Sequence, residues 1–169
     1  MHNYAETIHS LQAQGVHSVL TQFCDLHGVA KGKLVPLEGL TDALIDEMFA
    51  SNWRGTFAAI RAFAPQLAAT GDGLIVNISS IAGSTGLGSN LAYAASKAGI
   101  DALTKGLAKT LAPKVRVLAV SPGVVDSGFV SGRDASFNTK VGATIPLQRV
   151  GTADDVAAAI AACCTSLRY

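Results

Sequence analysis

Two short runs, Leu74-Ile75-Val76-Asn77-Ile78 and Val115-Arg116-Val117-Leu118-Ala119-Val120, stand on either side of a long helical pattern from residue 91 to residue 111. That order constrains the chain more than anything else in it. The runs are short and rich in β-branched residues, which suits strands buried on both faces. A helix between two such strands is the unit of a right-handed parallel crossover, so the strands are expected side by side. Within the helix, Leu91, Ala95, Ala98, Leu103, Leu107 and Leu111 carry the apolar period.

The chemistry-bearing residues cluster around this unit. Ser79 and Ser80 follow where the first strand should end, and Tyr93 and Lys97 are four residues apart on the helix, hence on one face. A tyrosine hydroxyl has an ordinary pKa of about 10, too high for proton transfer at neutral pH. An ammonium at ~4 Å favours a phenolate by about 4 kcal/mol at an effective dielectric of ~20, enough to bring a phenol near ~7. Such a phenol can exchange a proton with a substrate oxygen held by a serine hydroxyl from the strand tip. Taken alone, the same spacing also describes a half-buried ring beside a solvated ammonium.

Residues 41–69 read as one helix, with an apolar stripe through Leu44, Met48, Trp53, Ile60 and Leu67. Thr41 is placed to cap it, Asp42, Asp46 and Glu47 suit its positive end, and Pro65 should kink its last turns. Asn52 sits among the apolar residues, where its amide needs partners. Pro122-Gly123 closes the second strand, and ligands of open α/β sheets lie beyond such carboxyl ends. Residues 128–150, broken by Gly132, Gly142 and Pro146, read as an irregular loop, after which Thr152 caps a last helix.

The first 40 residues differ in character. They hold all four histidines, a short helical opening over 5–14, and two extended runs, 16–24 and 31–36, around a glycine-bearing turn, which together read as a β-hairpin. Cys24 and His27 have a C-x-x-H spacing with His17 as a conceivable third ligand. No second ligand pair follows, so no metal site is expected. Asp25 reads as a turn-forming aspartate. The formal net charge of +1 over 169 residues argues against nucleic acid or anionic membranes as partners. Three cysteines make no disulfide framework, and neither a signal segment nor a span of ~20 apolar residues appears, so a cytoplasmic location is expected.

Asn52, Ser80, Tyr93-Ala-Ala-Ser-Lys97 and Pro122-Gly123, in that order, resemble the second half of the short-chain dehydrogenase/reductase family. The flanking text agrees: SNWRGTF, GLIVNISSIAG, VLAVSPGVVDSGF and PLQRVGTADDVAAAIA. The resemblance covers residues 41–169 and implies an α/β fold: a partial doubly wound, Rossmann-like parallel sheet with flanking helices, preceded here by the hairpin. It implies an NAD- or NADP-dependent oxidoreductase acting on a small carbonyl or alcohol. Tyr93 would be the acid/base, Ser80 would hold the substrate oxygen, and Lys97 would act on Tyr93 and the cofactor ribose. The backbone carbonyl of Asn52 would hold a relay water. Pro122, Gly123, Val125 and Ser127 would lie along the nicotinamide, with Tyr93 and Lys97 completing the cofactor contacts. Residues 128–150 would serve as a lid over the substrate. Residues 8–38 resemble the β-rich N-terminal region of glutamine synthetases, where an aspartate matching Asp25 helps bind ammonium, so the expected division is 1–40 and 41–169.

The glycine-rich strand–turn–helix that binds a pyrophosphate has no counterpart in this sequence. Gly83-Ser84-Thr85-Gly86-Leu87-Gly88 follows the serine-bearing strand and reads as site loop. The other reading is therefore a truncated or chimeric remnant that acts as a binding or assembly module. Two strands would also keep open edges, for which the hairpin or self-association into a homo-oligomer is the expected cover.

Overall fold

In the computed structural model, which describes residues 4–14, 18–24, 30–36, 42–87, 90–127 and 135–167, the chain opens with helix α1 (Tyr4–Ala13). A hairpin follows, with β1 (Ser18–Cys24) antiparallel to β2 (Ala30–Pro36), Ser18 opposite Pro36 and Cys24 opposite Ala30. The turn bearing Asp25 and His27 lies outside the described residues, as do His2, His17 and Thr41. Among the described residues the hairpin is a sheet of its own and joins neither edge of the central strands, so of the two expected covers it is not the hairpin that fills this place. Strands joined by a short turn pair at little cost in loop entropy, whereas an edge far along the chain demands a much longer closure.

The single helix expected over residues 41–69 is in fact three segments. Helix α2 (Asp42–Met48) passes into a π-helical turn, Phe49–Arg54, and then into α3 (Gly55–Thr70). The widened turn has the Gly55 N–H bonded to the Ala50 carbonyl, five residues back. From this turn Asn52 bonds Ser96 and Trp53 meets Gly99, both on the later helix. Trp53 stacks on Phe57, with ring centroids 5.5 Å apart. Helix α3 continues through Pro65 to Thr70, so that proline does not end it, and Gly71 closes it at φ 77°, where a side chain would be strained.

The crossover is as expected. Strand β3 (Gly73–Ile78) leads into the short helix α4 (Ile81–Thr85), then α5 (Leu91–Leu111), then β4 (Val115–Val120). Strands β3 and β4 are parallel, with Gly73 opposite Val115 and Ile78 opposite Val120. The face that α5 buries is not the one its leucines mark: Ala92, Ala94, Ser96, Ile100 and Thr104 are its buried residues. Small side chains let the helix approach closely. At Gly99 an added Cβ would stand 2.9 Å from Cδ1 of Trp53. Ile100 (1% exposed) and Val115 (1%) centre the core, and Asn77 is satisfied there by donating to the Thr104 hydroxyl at 2.8 Å.

Beyond β4, β5 (Val125–Asp126) pairs parallel with β6 (Gly151–Thr152). Between them the expected irregular stretch contains a helix, α6 (Ala135–Gly142), which glycine and proline content had obscured; residues 128–134 are outside the description. The last helix, α7 (Ala153–Thr165), has the predicted cap: Thr152 and Asp155 exchange side-chain and backbone bonds in a capping box. Arg149 holds Asp155 at 2.6 and 3.0 Å. Arg116 of β4 donates to the carbonyls of Cys163 and Leu167 and so fastens the C-terminal end of α7 to the strand pair.

Gly73 and Ser79 donate their N–H groups to β4 residues or their flank, so the alternate residues Leu74, Val76 and Ile78 turn theirs to the open side. Beside that edge, between β3 and α3, runs a trough of about 750 Å³ lined by Ile60, Phe63, Leu67, Leu74 and Val76 and reaching Lys97. No helix among the described residues is long and apolar enough to cross a membrane.

Candidate active site

The carboxyl ends of β3 and β4 are tied to each other and to the helix that follows. Ser79 N donates to Val120 O at 2.8 Å, and Ile81 N donates to Pro122 O at 3.0 Å. Ser80 is extended, the position from which a serine caps a helix, and its hydroxyl accepts from Ala82 N at 3.2 Å. Ser79 is equally buried, and its hydroxyl donates to the carbonyl of Lys97 at 3.1 Å. The strand tip is thereby pinned to the second turn of α5.

Gly83 makes this junction tight. A Cβ there would lie 2.8 Å from Ala98 N and from the carbonyl carbon of Lys97, so α4 and α5 touch backbone to backbone. Asn90 caps α5, accepting from Tyr93 N at 2.6 Å, which sets the first turn carrying Tyr93.

Lys97 stands at the centre. Its Nζ lies 5.7 Å from the centroid of the Tyr93 ring and donates to Ile78 O at 2.8 Å. That carbonyl belongs to the open side of β3, so the ammonium satisfies a group that a neighbouring strand would otherwise meet. One of its three protons is used there. The Tyr93 hydroxyl has no hydrogen-bond partner among the described residues. Thus Lys97 reaches both the Tyr93 ring and the tip of β3, while Ser80 caps α4, the helix packed against α5 through Gly83.

Burial holds the Lys97 ammonium below its ordinary pKa of 10.5, and Asp101, one turn on, partly opposes this. The sign follows: between its lowered folded pKa and 10.5 the unfolded chain binds more protons at this site than the folded one, so the cost of burying the ammonium is relieved as pH rises toward 10.5. Asp101→Asn should lower the Lys97 midpoint further, read from its 13Cε signal in an NMR titration. An unchanged or higher midpoint would contradict the assignment.

Asn52 is tied in at both ends. Its Nδ2 donates to the Ser96 hydroxyl at 3.0 Å, and its carbonyl accepts from the Thr56 hydroxyl at 2.7 Å. Pro122 and Gly123 lie at the carboxyl end of β4, where a Cβ on Gly123 would meet nothing within 4 Å. Val125 is backbone-paired opposite Gly151, and the exposed Ser127 follows it closely. Sequence reasoning did not single out Ser96, Thr56 or Asn90. The cap at Asn90 had a readable signal, a polar residue just before the helical period; the other two bonds depend on tertiary contact or on the π-helical turn. Among the described residues no three His, Cys, Asp or Glu side chains gather as metal ligands. His17 and His27, the partners considered for Cys24, lie outside the described residues.

Comparison with known proteins bears on the same residues. A family model described as enoyl-(acyl carrier protein) reductase matches residues 11–168. The short-chain dehydrogenase/reductase homolog YusR of Bacillus subtilis is 43% identical over 104 residues, 62% of this chain and 80% of that protein. The putative ketoacyl reductase 2 of the granaticin polyketide synthase from Streptomyces violaceoruber is 40% identical over 126 residues, 73% of this chain and 51% of its own. A solved putative short-chain dehydrogenase/reductase from Burkholderia xenovorans superposes with a TM-score of 0.68 at 26% identity, covering 99% of this chain and 68% of that one. NAD+-bound xylitol dehydrogenase gives a TM-score of 0.65 at 26% identity, over 75% of this chain and 55% of that one. The chain thus spans most of YusR but only about half the length of the granaticin reductase.

Proposed function

The chain belongs to the short-chain dehydrogenase/reductase family, and from that premise we propose that its site performs nicotinamide-dependent hydride transfer between cofactor and a small carbonyl or alcohol. The observation that carries the reading is the Lys97 ammonium 5.7 Å from the Tyr93 ring, on a turn pinned to the serine-bearing strand tip.

In the reducing direction Tyr93 gives its proton to the carbonyl oxygen, and the neighbouring ammonium favours the charge left on the phenol oxygen. Ser80 donates a hydrogen bond to the same oxygen and so stabilises charge that develops on it. The Asn52 carbonyl would hold a water, and that water would pass protons between solvent and Lys97.

The residues present fit the nicotinamide end of the cofactor. Open space in front of Gly123 admits a flat ring close to the backbone, with Pro122, Val125 and Ser127 along it, and Lys97 keeps protons free for ribose hydroxyls. When bound, the nicotinamide supplies or takes the hydride. NAD and NADP are both open to this site, since the residue that would separate them belongs to the pyrophosphate end. We further propose that residues 1–40 are a separate, glutamine-synthetase-like segment, a division supported by β1 and β2 forming their own sheet, and that the protein works in the cytoplasm.

A second reading is favoured by two facts: among the described residues β3 and β4 form a sheet of two strands, and the chain spans about half the length of the granaticin reductase. It makes this polypeptide a non-catalytic remnant that binds or assembles, possible as a homo-oligomer through the exposed aromatics of α3, Phe57 and Phe63. Titrating the purified chain against NADH and NADPH fluorescence separates the two. Saturable binding with a Kd of order micromolar, weakened by Lys97→Ala, supports the oxidoreductase; no binding at about 1 mM of either cofactor overturns it for this polypeptide.

A further inference from the structure

We infer that Ser96 is a positioning residue for the Tyr93–Lys97 pair, clamping the first turns of α5 to the π-helical turn that carries Asn52. The inference rests on the reading of Tyr93 and Lys97 as a proton-handling pair and names what holds them in place.

Ser96 is 0% exposed. It sits in the seam formed by Ala92, Ile100 and Thr104, where an alanine would pack as well if packing were all that counted. Its hydroxyl is used in both directions. It accepts from Asn52 Nδ2 at 3.0 Å and donates to the carbonyl of Tyr93 at 2.8 Å. A hydroxyl donating three residues back draws that peptide toward itself and bends the helix locally. Here the peptide drawn is that of Tyr93, and the residue after the serine is Lys97.

Asn52 is itself fixed, because Thr56 donates to its carbonyl at 2.7 Å. The chain of bonds therefore runs from Thr56 through Asn52 and Ser96 to the backbone of Tyr93. It crosses between two segments far apart in the sequence, and it sets how far α5 is rotated against the π-helical turn. Because the Lys97 ammonium is held on the Ile78 carbonyl of β3, that rotation decides where the phenol stands relative to it. Breaking the clamp leaves the helices packed through Gly99 and Trp53 but frees the first turn of α5 to relax about Asn90.

The test reads that geometry without cofactor or substrate. In a chain labelled with 13C-lysine, the Hε signal of Lys97 is expected to be displaced by the Tyr93 ring that its Nζ overlies at 5.7 Å. Lys97→Met assigns the signal, and Tyr93→Leu gives its position with no ring. Ser96→Ala and Asn52→Ala are each expected to remove most of the displacement. The double variant is expected to remove no more than either alone, since both cut one chain of bonds. The clamp is overturned if both single variants, folded by circular dichroism, keep the full displacement, or if their losses simply add. Should Ser96→Ala fail to fold, Asn52→Ala decides from the half-buried end. A blank cofactor titration would end the oxidoreductase reading and leave this displacement where it was, so the two failures are distinct.

Discussion

Tyr93→Phe is expected to cut turnover of a small carbonyl substrate by about 10²–10⁴-fold, the range that one positioned proton donor contributes. Its unfolding midpoint should stay close to that of the wild type. Both halves follow from the same observation: the hydroxyl has no partner among the described residues, so its removal leaves no buried group unsatisfied and changes only what a bound carbonyl meets. The ring, its contact with Lys97 and the cap at Asn90 all persist in phenylalanine. Measured as kcat/KM with saturating reduced cofactor beside a urea titration, a variant within threefold of wild-type turnover would remove Tyr93 from the chemistry. A variant that lost activity only by unfolding would remove the argument for a free hydroxyl.

Gly83→Ala should be the most damaging single methyl in this corner of the molecule, at about 1–3 kcal/mol of stability. The methyl would meet Ala98 N and the Lys97 carbonyl carbon at 2.8 Å, and Oδ2 of Asp101 at 3.0 Å. The first two are backbone atoms in the middle of a long helix and cannot swing aside. Relief has to come from moving α4 off α5, which also shifts Ser80, the cap of α4, relative to α5. Activity should therefore fall by more than the population of unfolded chain explains. Gly106→Ala is the control: a glycine of α5 rather than α4, with no atom within 4 Å of the new methyl, and an expected gain of about 0.5–1 kcal/mol from helix propensity. Equal unfolding midpoints for the two variants would show that α4 does not rest on α5 as described.

The contrast between these two glycines bears on how much a chain of letters can reveal. Both sit in sequence where glycine invites the same remark, and nothing local distinguishes them. Only the approach of one helix to another does. The same holds for the seam of α5. Its leucines carry the visible period, yet Ala92, Ser96, Ile100 and Thr104 face inward, because a helix squeezed between a strand pair and a π-helical turn needs small side chains on its contact face.

What the sequence by itself determined is the local order. Short β-branched runs became β3 and β4, the helical period between them became α5 to the residue, Thr152 and Asp155 became a capping box, and two extended runs near the start paired as a hairpin. These outcomes depend on propensities and bonds within a few residues, or on the single geometric rule for a parallel crossover. The tertiary structure alone decided the rest. It broke the helix over residues 42–70 with a π-helical turn so that Asn52 and Trp53 could both face α5. It placed a helix over residues 135–142, left the hairpin as its own sheet, and turned Lys97 onto the carbonyl of Ile78. Each of these is settled by which buried donor finds which acceptor across a contact between distant segments, and no periodicity along the chain records that choice.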